Sequence, residues 1–262
     1  MNKTPKIYLL DIETSPILGY TWGTWEQNVL KVLEPFKIIS CSWKELHSQE
    51  TVVKGLCDYK GYKKNVVDDE KLVREIWDVL DKADICIAHH GDKFDFKKLF
   101  ARFVFYGLGA PSYFKTIDTK KVASKYFAFD GNSLNALGQF FGEGKKHETG
   151  GFETWVRCMA GDAEAWNLMK EYNRQDVILL EKVYLRLRPF ITNHPDLNII
   201  TGNGKSKLTC GTCLSTNVQK RGFSLTRTGS KQRFQCRDCH AWGTGSFERN
   251  KPEPSEEAMD VG

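Results

Sequence analysis

The chain has 262 residues, of which 40% are hydrophobic, 12% aromatic and 27% charged, enough for one well-filled core and a small appendage in a globular, soluble protein. No apolar run approaches the ~18 uninterrupted residues of a membrane helix and no segment reads as a signal peptide, which sets a cytoplasmic location as the expectation, the bacterial host's cytoplasm if the gene is a phage's. The net charge of +5 is unevenly spread: residues 201–251 hold ten Lys or Arg against two acids and residues 252–262 hold four acids, so a basic module and an acidic tail close the chain.

In chain order, β-branched apolar runs at residues 7–10, 37–43 and 51–57 predict three strands, joined by loops short enough for an antiparallel meander. Residues 69–83 place Leu72, Val73, Ile76, Trp77, Val79 and Leu80 at helical spacing, and ICIAHH at 85–90 reads as a further strand, so the pattern turns to alternating α and β. A helix over 95–107, a short strand at 116–118, helices near 119–127 and 133–141 and a long helical stretch over 162–187 complete this part. Pro189, the loop NHPDLN and the glycines of TGNGKSK end it. The expected domains are residues 1–203, 204–249 and a disordered acidic tail over 250–262, with no internal repeat.

Four carboxylates recur at the ends of these elements. In IYLLDIET, strand alternation puts Asp11 and Glu13 on one face and Leu10 and Ile12 on the other. Asp95 follows the strand ICIAHH within HHGDKFD, and Tyr172 and Asp176 stand one helical turn apart in EYNRQD, above the apolar Leu179, Leu180 and Val183. A buried charge in that position needs a neutralising partner. Singly, each residue also reads as structure: Asp11 and Glu13 as a wet strand end, Asp95 as a helix cap, Asp176 as a partner of Arg174 or Lys182, and Tyr172 as core.

Taken in order, DIET, the acid of HHGDKFD and the Tyr-x3-Asp of YNRQD resemble the three exonuclease motifs of the DEDD superfamily. The likeness is to its Tyr-containing branch, as in the proofreading domains of family B DNA polymerases and in RNase D, and in particular to stand-alone exonucleases encoded by phages and bacteria. It extends over about residues 5–192 and takes in DTKK at 118–121 and NSLNALGQFFG. The resemblance implies an α/β ribonuclease H-like fold, a mixed sheet flanked by helices, and a two-metal-ion hydrolysis of phosphodiester bonds from the 3′ end, with two Mg²⁺ or Mn²⁺ as cofactors. It implies that Asp11 bridges the ions, that Glu13 and Asp176 hold the one that activates water, that Asp95 serves the one on the leaving-group side, and that Tyr172 orients the water. Asp92 competes with Asp95 for its role, but the family places the acid directly after a Phe, as in Phe94-Asp95. The family commonly has Asn where this chain has His90, whose protonation would weaken metal binding at low pH. Asp118 matches a family position near the site and reads as structural support. Trp22 and Trp25 in GYTWGTW offer stacking surfaces for a base or apolar mass for a core, and Lys145, Lys146 and His147 meet phosphates or lie in a solvated loop.

Eight cysteines divide into two sets. Cys41, Cys57, Cys86 and Cys158 are isolated and read as small buried hydrophobes in a reducing compartment. Cys210-x2-Cys213 and Cys236-x2-Cys239, 22 residues apart, have zinc-ribbon spacing and predict one structural Zn²⁺, with His240 as a substitute for Cys239. Between them a strand, a turn at 228–230 and a second strand carry Lys220, Arg221, Arg227, Lys231, Arg233 and Arg237, interleaved with Phe223 and Phe234. Basic residues among aromatics suit a nucleic-acid backbone, and the segment resembles zinc ribbons of insertion-sequence transposases; a protein-docking ribbon with a solvated basic face is the other reading.

The sequence therefore points to a metal-dependent 3′-to-5′ exonuclease with nucleic acid as partner, DNA ahead of RNA, a replication or recombination protein as a second class of partner, and no membrane. An exoribonuclease of the RNase D kind and a catalytically inactive nucleic-acid-binding protein are the alternatives.

Overall fold

A computed structural model describes residues 4–62, 65, 68–144, 150–202 and 208–249. Lys145, Lys146, His147 and the acidic tail from Asn250 lie outside the described residues. The chain divides into two compact units, one over Pro5–Leu187 and one taking Met1–Thr4 together with Arg188–Gly262.

The first unit is built on a five-stranded mixed sheet. Its strands are β1 (Ile7–Thr14), β4 (Ile38–Glu45), β5 (Val52–Gly55), β6 (Ile85–Ala88) and β7 (Lys115–Asp118), in the order β5-β4-β1-β6-β7. The first three form the expected antiparallel meander, while β6 and β7 run parallel to β1. Leu9 and Leu10 are neighbours that point to opposite faces, and both are fully buried. Both faces of the sheet are therefore covered, which is why β1 reads as a continuous apolar run rather than an alternation. The cover comes from α1 (Glu70–Lys82), α2 (Asp95–Phe105), α3 (Thr119–Tyr126), α4 (Leu134–Phe140), α5 (Phe152–Met159) and the 25-residue α6 (Ala163–Leu187), which packs against β1, β4 and β5.

Two features depart from the sequence expectation. Between β1 and β4 the chain makes a hairpin of its own, β2 (Leu18–Tyr20) with β3 (Lys31–Glu34). Its apolar side chains, among them Leu18, Tyr20, Val32 and Leu33, are exposed, so no buried-strand pattern announced it. The helical stretch near 162 is preceded by a separate helix, α5. Gly161 breaks the run at φ 87°, and Asp162 restarts it by accepting from the amides of Glu164 (2.8 Å) and Ala165 (3.2 Å).

One buried ion pair locks the frame. Asp69, fully buried ahead of α1, accepts from Arg102 Nε of α2 (2.9 Å), from the Tyr106 hydroxyl (2.6 Å) and from the Ile38 amide at the start of β4 (2.9 Å).

The second unit contains α7 (Leu197–Thr201) and an antiparallel sheet of β8 (Val218–Leu225), β9 (Gly229–Cys236) and β10 (Trp242–Arg249), in the order β10-β9-β8. The predicted strand-turn-strand is β8–β9; β10 was not foreseen. Gly243 permits its close approach, because a Cβ there would stand 2.3 Å from the Phe234 ring. The division at Arg188 falls ahead of the expected residue 203. Residues of α7 bond to the first cysteine knuckle: the Leu197 amide donates to the Gly211 carbonyl (2.7 Å), and the Thr209 hydroxyl bonds the Asn198 side chain.

Candidate active site and cysteine cluster

The carboxylates of Asp11 and Glu13 on β1 and of Asp176 on α6 each offer an oxygen within 4.8 Å of the others. Each arrives for a local reason. Strand alternation aims Asp11 and Glu13 at the face that α6 covers, while Ile12 enters the core on the other side. Asp176 lies on the core-facing stripe of α6 with Val177, Leu180 and Val183 and is itself buried. At this spacing two unit charges repel by about 3.5 kcal/mol or more at an effective dielectric near 20. A divalent cation bound by hard oxygens removes that repulsion, and three carboxylates are the donor set such a cation takes.

Asp95 is not in this trio but is tied to it. The parallel pairing of β1 with β6 stops at Leu9, which leaves the Ile12 amide without a strand partner on that side. Asp95, in the first turn of α2 and 3% exposed, supplies one: its Oδ1 accepts from Ile12 N at 3.2 Å, between the two acids of β1. Burial, with the negative charge of Asp118 adding to it, pushes the Asp95 carboxyl up to about 7, against the amide hydrogen bonds that hold it down. Asp92 is engaged elsewhere, in an ion pair with Lys121 at 2.7 Å.

The turn between β6 and α2 sets the height of Asp95. His90 sits there in the left-handed region, at φ 70°, and its amide donates to Asp118 Oδ1 (2.9 Å), which also caps α3. Gly91 follows because a Cβ would stand 2.4 Å from that of Ala88. His89 bonds the Thr119 hydroxyl (2.9 Å) and the Asn132 carbonyl (3.0 Å). Tyr172 is half-buried one turn ahead of Asp176, with its ring edge-on to Trp155 at 6.2 Å between centroids. Trp22 and Trp25, on the β2–β3 connection, are 88% and 84% exposed, which leaves neither as core.

Sequence reading missed Asn173. Fully buried beside Tyr172, it donates to Asp11 Oδ2 at 2.6 Å and accepts from the Ser40 hydroxyl at 2.9 Å. The signal was available: a poor helix former within a core-facing stretch calls for a polar partner.

In the second unit the four sulfurs of Cys210, Cys213, Cys236 and Cys239 lie within 4.8 Å of one another. Cys210 Sγ stands 3.6 Å from Cys239 Sγ, and Cys213 Sγ 3.7 Å from Cys236 Sγ. The hydrogen bond from Cys213 and the amides of Thr212 and Cys213 hold the Cys210 thiol well below its usual range. Four sulfurs at these distances fit a closed tetrahedral Zn²⁺ shell. By contrast, burial raises the thiols of Cys41, Cys86 and Cys158, as inert core cysteines require. Lys220, Arg221, Arg227 and Arg233 are exposed, and the Arg233 guanidinium lies 5.6 Å over the Trp242 ring.

Among the described residues, no helix is long and apolar enough to cross a membrane. Compared with known proteins, the chain matches no curated protein. Its fold is similar to that of a family B DNA polymerase from the hyperthermophilic archaeon Pyrobaculum calidifontis, with a TM-score of 0.52 and 15% sequence identity over 72% of this chain and 25% of that one. The chain thus spans about a quarter of the polymerase. Residues 45–188 match the family model described as RNase_H superfamily, a segment that includes Asp95, Tyr172 and Asp176 and leaves out β1 with Asp11 and Glu13. With more than half of its length in that match and a mixed sheet flanked by helices, the chain belongs to the RNase H superfamily.

Proposed function

We propose that the first unit is a metal-dependent exonuclease that hydrolyses phosphodiester bonds from the 3′ end of a nucleic acid, in the first place single-stranded DNA. RNase H-like proteins are typically nucleases, and the observation that carries the reading is the convergence of Asp11, Glu13 and Asp176 within 4.8 Å beside buried Asp95. Oxygens of Asp11, Glu13, Asp176 and Asp95 would hold two Mg²⁺ or Mn²⁺ ions, which when bound would supply an activated water and stabilise the leaving oxygen. By the motif resemblance, which also gives the direction of digestion, Asp11 would be shared between the two ions, Glu13 and Asp176 would hold the one that activates water, and Asp95 would serve the one on the leaving-group side. Tyr172 orients the water through its hydroxyl. Trp25 stacks on a base, and His90 contacts the sugar-phosphate near the cleaved bond. In the second unit one Zn²⁺ on the four cysteines holds the ribbon, whose Lys220, Arg221, Arg227 and Arg233 meet backbone phosphates.

The test uses 5′-labelled single-stranded DNA, RNA and duplex DNA with Mg²⁺ or Mn²⁺, for the wild type and Asp11→Ala. The wild type is expected to give a ladder shortening from the 3′ end of DNA, and Asp11→Ala to lose it by about 10³-fold or more. Cleavage that survives the substitution sinks the reading. Digestion of RNA alone turns it into an exoribonuclease.

A further inference from the structure

We infer that Asn173 is a positioning residue for the metal-binding acids: its carboxamide sets the orientation of the Asp11 carboxylate. The inference rests on the reading of Asp11 as a metal ligand proposed above. Asn173 is fully buried on α6, next to Tyr172 and one turn before Asp176. Its Nδ2 donates to Asp11 Oδ2 at 2.6 Å and to the Asp11 carbonyl at 3.3 Å, and its Oδ1 accepts from Ser40 Oγ at 2.9 Å. Ser40 is also fully buried and stands opposite Glu13 in the β1–β4 register. One side chain thus ties the helix that carries Asp176 to the two strands at the point where Asp11 and Glu13 leave the sheet.

Packing does not account for an asparagine here. The residue is a poor helix former, and its polar atoms have to be satisfied inside a core that a leucine would fill without that demand. Both bonds from Nδ2 go to oxygens of Asp11, which only accept and so fix which end of the amide faces them, and the Ser40 hydroxyl donates to the Oδ1 left on the other side. The donor is also neutral. A lysine or arginine would satisfy the carboxylate equally but would place a positive charge where a cation has to bind. An amide restrains the plane of the carboxylate and leaves its charge for the metal. Partners that hold metal ligands in this way typically change metal affinity by about 10- to 100-fold when removed.

Mn²⁺ binding to the zinc-loaded, full-length protein is titrated by the electron paramagnetic resonance signal of free Mn²⁺, for the wild type, Asn173→Leu, Ser40→Ala and Asp11→Asn. Asn173→Leu is expected to raise the half-saturating Mn²⁺ concentration about 10- to 100-fold, and Ser40→Ala to shift it less in the same direction. Excess Mn²⁺ is expected to restore cleavage by Asn173→Leu, which a defect of folding would not allow. Folded Asn173→Leu with wild-type Mn²⁺ affinity overturns the inference, and if that variant does not fold, unchanged affinity in Ser40→Ala does so. A wild type without Mn²⁺ binding that Asp11→Asn abolishes overturns the metal reading itself, a failure visible before any Asn173 variant is compared.

Discussion

Asp95 is held in a place that opposes its own charge. A buried carboxyl whose folded pKa is raised favours the neutral form, so its contribution to stability is present below the unfolded value near 4. That contribution is lost as the pH rises through about 7. In EDTA, the urea midpoint of the wild type is expected to fall relative to that of Asp95→Asn between pH 4 and 8. The difference should reach up to about 4 kcal/mol, and Mn²⁺ should close it for the wild type only. Parallel pH profiles for the two proteins would show that Asp95 is charged without cost. Trp25, at 84% exposure, is at the other extreme. Trp25→Ala should leave the melting temperature within the small range of surface substitutions while weakening single-strand binding by about 1–3 kcal/mol, read by fluorescence anisotropy. A loss of stability instead would make the indole structural.

At the scale of elements, the site depends on one strand outrunning its neighbour. Because β6 stops pairing at Leu9, β1 projects its last residues past the parallel side of the sheet, and a helix N-terminus takes the place of the missing strand. The turn that delivers α2 is tight at Gly91; Gly91→Ala should cost about 1–3 kcal/mol and, by moving Asp95, lower cleavage more than stability, as paired urea denaturation and single-turnover rates would show. Farther along α2, Arg102 is 4% exposed against a fully buried Asp69. Arg102→Ala leaves that carboxylate uncompensated and should destabilise the first unit by about 3–5 kcal/mol in urea denaturation. A cost below 1 kcal/mol would mean that the Ile38 amide and Tyr106 hydroxyl satisfy Asp69 without the arginine.

The molecule as a whole joins two units with different sources of stability. The first has a layered apolar core; the second has a small one around its cysteines, including Ala241 and Val218, so its folding is expected to depend on a metal held by the four sulfurs. Zinc chelation should therefore open the chain to proteolysis after Arg188 while the first unit keeps its cooperative unfolding transition. Nucleic-acid binding is expected to carry a salt dependence set largely by the ribbon: Arg227→Ala and Arg233→Ala should each reduce the slope of log K against log salt by about 1, and Trp25→Ala should leave it unchanged.

The sequence alone determined what local periodicity and spacing control. β1, α1, α2 and the core stripe of α6 followed from apolar patterns, and the cysteine cluster followed from two Cys-x2-Cys steps, because each requires only neighbours in the chain. The exposed β2–β3 hairpin and β10 escaped, since strands that bury little or that are defined by a partner leave no alternation to read. Only the tertiary structure decided which carboxylates meet. Asp11 and Asp176 are brought together by the packing of α6 on the sheet, and Asn173 gains its meaning from Ser40 and Asp11. Such contacts arise from the closing of the core, where a distance of a few ångströms between residues far apart in the chain is set by every side chain packed between them.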